Sequence, residues 1–327
     1  MNQSSASALV LMYHRIGEVG SDPWSLCVTP EHLAEHLAVL KKAASPVRLQ
    51  ELIHDVKNKN IKPRSVVITF DDGYADNLHL AKPVIERFEV PATIFLITGN
   101  FETSREFWWD ELEQICLQPG ELPEVLHLEI NAEHCEWKLN GAAKYTEEEY
   151  RKYQNWKVGE ESPGPRQTLY HSIWQRLQPL PQEEIRKVLD QLSELSGRPG
   201  LRSTYRSVTK EEARKLNAEA FIEIGAHSVT HPLLPNLSKQ MQEQEIRDSK
   251  AELETILGTR VDTFAYPYGQ FSEVTPSIVH DAGFIGACST VPTGVARDAN
   301  LFELPRLQVN DWSGEEFSRH LSNWFEG

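Results

Sequence analysis

Two adjacent carboxylates, Asp71 and Asp72, directly follow the apolar run at residues 66–70 and precede Gly73. A short β-branched run of this kind predicts a buried strand. The two acids repel each other, and neither is buried cheaply without a cation, a proton or a basic partner. At the carboxyl end of a parallel strand such a pair indicates an active site, whereas turn chemistry also allows an Asp-Asp-Gly turn with both acids in solvent.

Two histidines, His227 and His231, follow a second apolar run at residues 221–226. A spacing of four residues puts both imidazoles on one side of a helical turn or tight loop, where they can reach one cation. One carboxylate and two imidazoles form a ligand set that suits Zn²⁺, with a fourth position for water, and the second carboxylate is then available as a base. An isolated His-x-x-x-His is more often a pair of loop histidines, but here both pairs follow predicted strands.

The order of three motifs resembles that of the NodB-homology polysaccharide deacetylases, carbohydrate esterase family 4. The motifs are Thr-Phe-Asp-Asp-Gly-Tyr at 69–74, His-Ser-Val-Thr-His-Pro at 227–232 and, as a partial match, Phe-Ala-Tyr-Pro-Tyr-Gly at 264–269. The resemblance covers residues near 8–100 and 203–310. It implies an α/β fold, a distorted (β/α) barrel with fewer than eight strands. The alternation of strands and helices would by itself equally fit a doubly wound sheet.

The resemblance also implies roles for the motif residues. Asp71 would be the general base, while Asp72, His227 and His231 would bind a divalent metal. A metal-bound water would attack an amide carbonyl, and the backbone N–H of Tyr268 would help to hold the oxyanion. Zn²⁺ is the expected metal, and the ligand types also allow Co²⁺, Ni²⁺ or Fe²⁺.

Two positions depart from the family pattern. Many members carry an arginine in the third motif that orients the base, but this chain has Ala265 there. Arg306, on a late predicted strand, is a candidate replacement that would pair with Asp71, although an ordinary surface cation is an equally good interpretation. The late histidine that often serves as general acid has no convincing match, since we expect His320 to be solvated. His14, after the first predicted strand, is the candidate acid or else a binding residue.

The chain has 327 residues, enough for one large α/β domain or two small ones. We assign residues 8–100 and 201–312 to one discontinuous barrel, residues 101–200 to a mainly helical inserted subdomain, and residues 313–327 to a C-terminal helix. The insertion carries five of the eight tryptophans: Trp108, Trp109, Trp137, Trp156 and Trp174. They are interpreted as the core of the insertion, with a substrate lid as the alternative.

The net charge of −15 argues against binding of nucleic acid or an anionic membrane through the overall field. The four cysteines lack pair spacing, and we expect free buried thiols. The chain shows neither a signal peptide nor an apolar run long enough to span a membrane, which predicts a cytoplasmic protein.

The leading hypothesis is a metal-dependent hydrolase that removes an acetyl group from the nitrogen of an amino sugar. The substrate would be an N-acetylated sugar, a nucleotide-linked or lipid-linked sugar, or an oligosaccharide, and formyl or O-acetyl removal stays open. A non-catalytic carbohydrate-binding or scaffold protein on a deacetylase fold is the alternative. A metal-free glycosidase is disfavoured, because adjacent residues rarely place carboxyls on opposite sides of a glycosidic bond, roughly 5–9 Å apart.

Overall fold

The computed structural model describes residues 7–103, 105–197, 200–218 and 220–326. These residues divide into two compact units. The first holds the described residues within 7–18, 26–102 and 207–326, and the second holds those within 19–25 and 103–206.

The strands, in chain order, are β1 (Ala8–Tyr13), β2 (Arg15–Ile16), β3 (Cys27–Val28), β4 (Ser45–Pro46), β5 (Ser65–Phe70), β6 (Ala92–Leu96), β7 (Gly120–Glu121), β8 (Val125–Ile130), β9 (Glu133–Lys138), β10 (Lys144–Tyr145), β11 (Ile222–Ala226), β12 (Thr263–Ala265), β13 (Gly286–Cys288) and β14 (Leu307–Gln308).

The α-helices are α1 (Pro30–Ala43), α2 (Leu49–Lys57), α3 (Lys82–Phe88), α4 (Trp108–Leu117), α5 (Glu147–Tyr153), α6 (Pro165–Leu177), α7 (Gln182–Ser196), α8 (Lys210–Asn217), α9 (Lys239–Leu257), α10 (Thr275–Asp281) and α11 (Gly314–Glu326).

The first unit is built on a parallel sheet with the strand order β13-β12-β11-β6-β5-β1-β14, to which β4 adds by pairing with β5. The register aligns the carboxyl ends of neighbouring strands: Tyr13 lies opposite Phe70, and Leu96 lies opposite Ala226. Residues that directly follow these strands therefore meet at one edge of the sheet, which is where parallel α/β folds place their sites.

Alternate residues of each strand enter two different cores, because successive side chains point to opposite faces. Leu9 and Leu11 of β1 join the larger core, which also takes apolar residues from α1, α3, α8, α9, α10 and α11. Ala8 and Val10 join a smaller core that is shared with α2. Burial on both faces explains why these strands are continuous apolar runs in the sequence.

Several helices begin at the residues that the sequence indicates. Thr29 accepts a hydrogen bond from the backbone of His32, and Thr209 forms a complete capping box with Glu212. Residues 77–88 are helical throughout, beginning as a π-helical turn, Asn77–Ala81, and continuing as α3. Within residues 284–288 the strand is limited to β13.

The second unit contains α4–α7 together with two antiparallel pairs, β8 with β9 and β7 with β10. It also includes residues 19–25, which the sequence interpretation had placed in the barrel. The reason is local bonding: the carbonyl of Pro23 accepts from Val158 N at 2.8 Å, and the Trp24 indole donates to Tyr170 at 2.7 Å.

Burial within this unit differs among its six tryptophans, which are the five of residues 101–200 and Trp24. Trp108, Trp109 and Trp156 are buried, and the other three are half-buried. The prediction of free buried thiols is confirmed for all four cysteines. None of the described helices combines the length and the apolar character that a membrane crossing requires.

Candidate metal centre

The turn after β5 buries both carboxylates, since Asp71 is 2% exposed and Asp72 is 3% exposed. Asp72 and Gly73 adopt left-handed backbone conformations, with φ of 71° and 78°. Glycine is favoured at position 73, because the backbone is left-handed and a Cβ there would lie 2.5 Å from a methyl carbon of Leu96. The sequence Asp-Asp-Gly thus folds into a buried turn rather than the solvated turn that was the alternative.

Arg306 meets Asp71 through two parallel hydrogen bonds. Its Nη1 donates to Oδ1 and its Nη2 to Oδ2, both at 2.7 Å, and the guanidinium is fully buried. Arg306 Nε also donates to the carbonyl of Ser289 at 2.9 Å, which fixes the plane of the guanidinium. Burial raises the pKa of Asp71, but the charge and hydrogen bonds of Arg306, together with His227 and His14, outweigh it and hold the pKa below the ordinary range. The surface-cation interpretation of Arg306 was therefore wrong.

The two histidines lie beside Asp72. His227 Nδ1–H donates to the Ala265 carbonyl at 2.7 Å, so its Nε2 carries the free lone pair. That Nε2 lies 3.5 Å from Asp72 Oδ1, and Nε2 of His231 lies 3.6 Å from the same oxygen. Burial lowers the pKa of both histidines, which keeps them neutral and able to act as ligands.

These three side chains fit a divalent cation. Ligand atoms of Asp72, His227 and His231 all lie within 4.8 Å of one another. Tetrahedral bonds of about 2.0–2.1 Å separate two ligand atoms by roughly 3.3–3.4 Å, close to the observed distances from Asp72 to each histidine. The mixed nitrogen and oxygen set suits Zn²⁺ and the other borderline divalent metals.

The loop that carries the histidines has an unusual backbone. Ser228 and His231 have φ of 65° and 57°, a conformation that costs non-glycine residues about 1–3 kcal/mol each. Ser228 Oγ accepts from His231 N at 3.0 Å, so this serine caps the loop. Gly99 N donates to Val229 O at 2.8 Å, and a Cβ at Gly99 would lie 2.6 Å from that oxygen.

His14 follows β1 and is half-buried. Burial lowers its pKa to about 4, and the negative charge of Asp71 opposes that shift. Since Tyr13 lies opposite Phe70 in the parallel register, His14 falls level with Asp71. The structure thus brings His14 to the same edge of the sheet as the carboxylate pair.

Three residues that the sequence interpretation missed hold the His14 segment. Asn77 Nδ2 donates to His14 O at 2.9 Å. Asp76 accepts from Ile16 N at 3.1 Å and from Arg15 Nε at 3.2 Å, so an ion pair ties the two loops together. The available signal was a second polar pair, Asp76-Asn77, only four residues after Asp72.

Tyr268 is half-buried, and its ring packs edge-on against the ring of His231 with centroids 4.5 Å apart. Its φ of 56° is left-handed, as at the histidine loop. Ala265, which stands where the family pattern has arginine, is buried in β12 and supplies the carbonyl that orients His227. His320 is half-buried and stacks on Trp312 with ring centroids 3.9 Å apart.

Solved structures of deacetylases share this fold. The Streptococcus pyogenes deacetylase PplD, solved in complex with acetate, superposes with a TM-score of 0.60 at 16% identity, covering 97% of this chain and 99% of that chain. IcaB from Ammonifex degensii gives a TM-score of 0.58 at 17% identity, covering 99% of each chain. The predicted deacetylase-type barrel is thereby confirmed.

Sequence comparison identifies the family. The Bacillus subtilis protein YxkH, which is named for the same family, is 28% identical over 114 residues; the match spans 35% of this chain and 41% of that relative. The model of the polysaccharide deacetylase family matches residues 58–123 and 178–287, more than half of the chain and including both Asp-Asp-Gly and His-x-x-x-His motifs. The chain therefore belongs to the polysaccharide deacetylase family.

Proposed function

We propose that this protein is a metal-dependent deacetylase that hydrolyses the N-acetyl group of an amino sugar. The observation that carries the proposal is the convergence of Asp72, His227 and His231 beside a carboxylate, Asp71, that is held by Arg306. Membership of the polysaccharide deacetylase family supports the same reaction class. The products would be the free amine and acetate.

A bound divalent cation would act as a Lewis acid on the amide carbonyl and lower the pKa of a water molecule towards about 7. Asp71 would take the proton from the attacking water, because it is ionised and its carboxylate retains lone pairs beyond those used by Arg306. Arg306 would fix the direction of that carboxylate throughout the reaction.

Two further residues would complete the reaction. The backbone N–H of Tyr268 would donate to the oxyanion that forms from the carbonyl. His14 would donate a proton to the departing nitrogen, without which the amine is a poor leaving group. A pKa near 4 leaves His14 neutral at pH 7. The proton that Asp71 takes from the water would therefore pass to His14, which would return Asp71 to its ionised form before His14 donates to the departing nitrogen.

The substrate would be an N-acetylated sugar, either within an oligosaccharide or linked to a nucleotide or lipid. The PplD structure contains acetate, which is the second product of such a reaction. Deformylation and O-deacetylation use the same groups, and a substrate panel separates them. That the protein acts in the cytoplasm on a precursor stays a prediction.

The test is release of acetate from a panel of N-acetylated sugars, nucleotide sugars and short oligosaccharides, with O-acetylated and N-formylated analogues. Reactions are run with Zn²⁺, with a chelator, and with the Asp71→Asn variant. We expect release that requires metal and falls by at least about 1,000-fold in Asp71→Asn, since the base is lost while the metal ligands remain.

Metal content is measured on the same samples, purified without a histidine tag. Metal binding without acetate release from any panel member would contradict the assigned acyl group or substrate class. Neither binding nor release would favour the alternative, a carbohydrate-binding or scaffold protein on a deacetylase fold.

A further inference from the structure

Glu245, on α9, binds the backbone of the histidine loop between the two histidines. Its Oε2 accepts hydrogen bonds from Val229 N and Thr230 N, each at 2.9 Å. Its Oε1 accepts from Thr230 Oγ1 at 2.7 Å. One half-buried carboxylate therefore satisfies three donors on two consecutive residues of the loop.

Three other backbone groups of the loop are bonded to the segment at the end of β6. His227 N donates to Leu96 O, and the carbonyls of Ser228 and Val229 accept from Thr98 N and Gly99 N. These bonds hold the side of the loop that faces β6. The N–H groups of Val229 and Thr230 bind α9 instead, so Glu245 is the contact that ties the middle of the loop to a helix.

The helix that carries Glu245 is anchored in the core. Ile246, the next residue, and Leu253, two turns further on, are completely buried in the larger core of the first unit. Ser238 caps the start of α9 by accepting from Met241 N. Glu245 thus sits on a well-fixed element, and a carboxylate in this position makes charge-assisted hydrogen bonds, which are stronger than neutral ones.

The left-handed conformations of Ser228 and His231 persist only if surrounding contacts favour them over ordinary backbone geometry. Relaxation of either residue would turn the imidazole of His231 away from Asp72 Oδ1, now 3.6 Å from its Nε2. Bonds to the two residues between these strained positions oppose that relaxation directly. Glu245 is therefore suited to set the spacing of the metal ligands without being one of them.

We propose that Glu245 is a positioning residue of the metal centre, which holds the histidine loop so that His227 and His231 both face Asp72. The inference rests on the proposed metal-dependent function. It assigns to α9 a role in metal affinity that acts through the backbone of Val229 and Thr230. Loss of such supporting contacts in metal sites typically weakens binding 10- to 100-fold.

The experiment measures Zn²⁺ affinity by competition with a chromophoric chelator, and the visible spectrum of the Co²⁺ form, in three variants. Glu245→Ala removes all three acceptors, and we expect affinity to fall 10- to 100-fold with an altered Co²⁺ spectrum. In Glu245→Gln the amide oxygen can still accept from both N–H groups and the amide nitrogen can donate to Thr230 Oγ1, so we expect a loss of at most about three-fold.

Glu243→Ala is the matched control, because Glu243 lies on the same helix and pairs with Lys239 at 3.8 Å. We expect it to bind Zn²⁺ like the wild type. Thermal melts of the metal-free proteins identify any variant that fails to fold, and Thr230→Val then serves as the milder test. That variant removes only the 2.7 Å hydroxyl bond, and we expect a two- to three-fold loss.

Unchanged affinity and spectrum in Glu245→Ala would overturn the proposal. Equal losses in Glu245→Ala and Glu245→Gln would also overturn it, because charge rather than hydrogen bonding would then be the cause. A wild type that binds neither Zn²⁺ nor Co²⁺ would overturn both this inference and the metal-dependent function. A wild type that binds metal but releases no acetate would contradict the proposed reaction and would leave the role of Glu245 in metal binding to be decided by the variants.

Discussion

Two aspartates that follow β5, Asp71 and Asp76, each form a buried ion pair with an arginine, and the two pairs differ in geometry. Asp71 and Arg306 share two hydrogen bonds of 2.7 Å, whereas Arg15 donates to Asp76 from Nε at the longer distance of 3.2 Å. The pKa of Asp71 is lowered, but burial outweighs the partners of Asp76 and raises its pKa to about 6.

The comparison indicates that alignment contributes to whether a buried pair favours the charged form. Two parallel bonds to a carboxylate supply both Coulomb attraction and a fixed geometry, and at Asp71 they act together with the nearby histidines to offset the loss of hydration. At Asp76 the charge of Arg15 and the hydrogen bonds from Arg15, Ile16 and Asn77 do not offset the desolvation penalty. The first arrangement suits a residue that must stay ionised, such as a base. The second suits a tie between two loops, here the His14 segment and the turn after β5.

The largest expected effect is that of Arg306→Ala. It leaves the buried charge of Asp71 without its cation, so we expect the free energy of unfolding to fall by about 3–5 kcal/mol and acetate release to fall by at least about 100-fold. Urea unfolding and steady-state kinetics measure the two effects. A variant of wild-type stability and activity would show that the paired hydrogen bonds contribute nothing, contrary to the comparison.

The pH dependence of stability tests the weaker pair. The pKa of Asp76 is about 6 in the folded protein against an ordinary value of 3.8, so between these values the folded state binds more protons. Stability from this group is present below pH 3.8 and is lost as pH rises through about 6. The free energy of unfolding should fall by up to about 3 kcal/mol over this range.

Asp76→Asn is the control for that experiment, since the amide does not titrate. Urea unfolding of both proteins at intervals between pH 4 and pH 7.5 should show the wild type losing stability relative to Asp76→Asn as pH rises. A constant difference between the two would mean that Asp76 titrates alike in the folded and unfolded states, and the contrast with Asp71 would not hold.

Lysine substitutions sharpen the comparison because lysine keeps the charge but cannot form two parallel bonds to a carboxylate. Arg306→Lys should therefore cost about 2 kcal/mol of stability, as two charge-assisted bonds become one. Arg15→Lys replaces the 3.2 Å bond from Nε with a bond from Nζ and should cost about 1 kcal/mol or less. Urea unfolding of both variants measures the two stability costs. Equal costs would argue against alignment of the hydrogen bonds as the reason why the two pairs differ.

The smallest effect on acetate release concerns the contact from Asn77 to the His14 carbonyl. Asn77→Ala removes the hydrogen bonds from Asn77 Nδ2 to His14 O at 2.9 Å and to Asp76 Oδ1 at 3.1 Å, so we expect stability to fall by about 1–2 kcal/mol and acetate release by about ten-fold. Zn²⁺ affinity should not change, because the metal ligands are untouched. Asn58→Ala, which removes a hydrogen bond to His54 O at the exposed end of α2, is the control. If Asn77→Ala released acetate as fast as that control, the result would contradict a role of His14 in the reaction.

Local patterns were sufficient to predict much of the first unit. The fully buried strands β1, β5 and β6 are continuous apolar segments. The side-chain oxygens of Thr29, Thr209 and Ser238 cap the starts of helices by accepting backbone hydrogen bonds. These signals depend on neighbours within a few residues, so the sequence contains them directly. The π-helical turn at Asn77–Ala81 was missed, because nothing in its composition distinguishes it from an ordinary helix start.

The candidate site also combines features that short segments predict with contacts that they do not predict. The carboxylate pair and the histidine pair are each visible as short motifs at the ends of predicted strands. The partner of Asp71 is not, since Arg306 lies 235 residues away and its equally good interpretation was a surface cation. Glu245 and residues 19–25 were also missed, because their contacts join segments that are remote in sequence.

The sequence by itself determined the kinds of ligand atoms and the strands that present them, because residue type and local periodicity are properties of short segments. Only the tertiary structure decided which groups meet. Parallel pairing of β1 with β5 and of β1 with β14 brings His14, Asp71 and the segment that carries Arg306 to one edge of the sheet. The packing of α9 places Glu245 against the histidine loop. These encounters depend on strand order and register, which arise from the burial of the whole core.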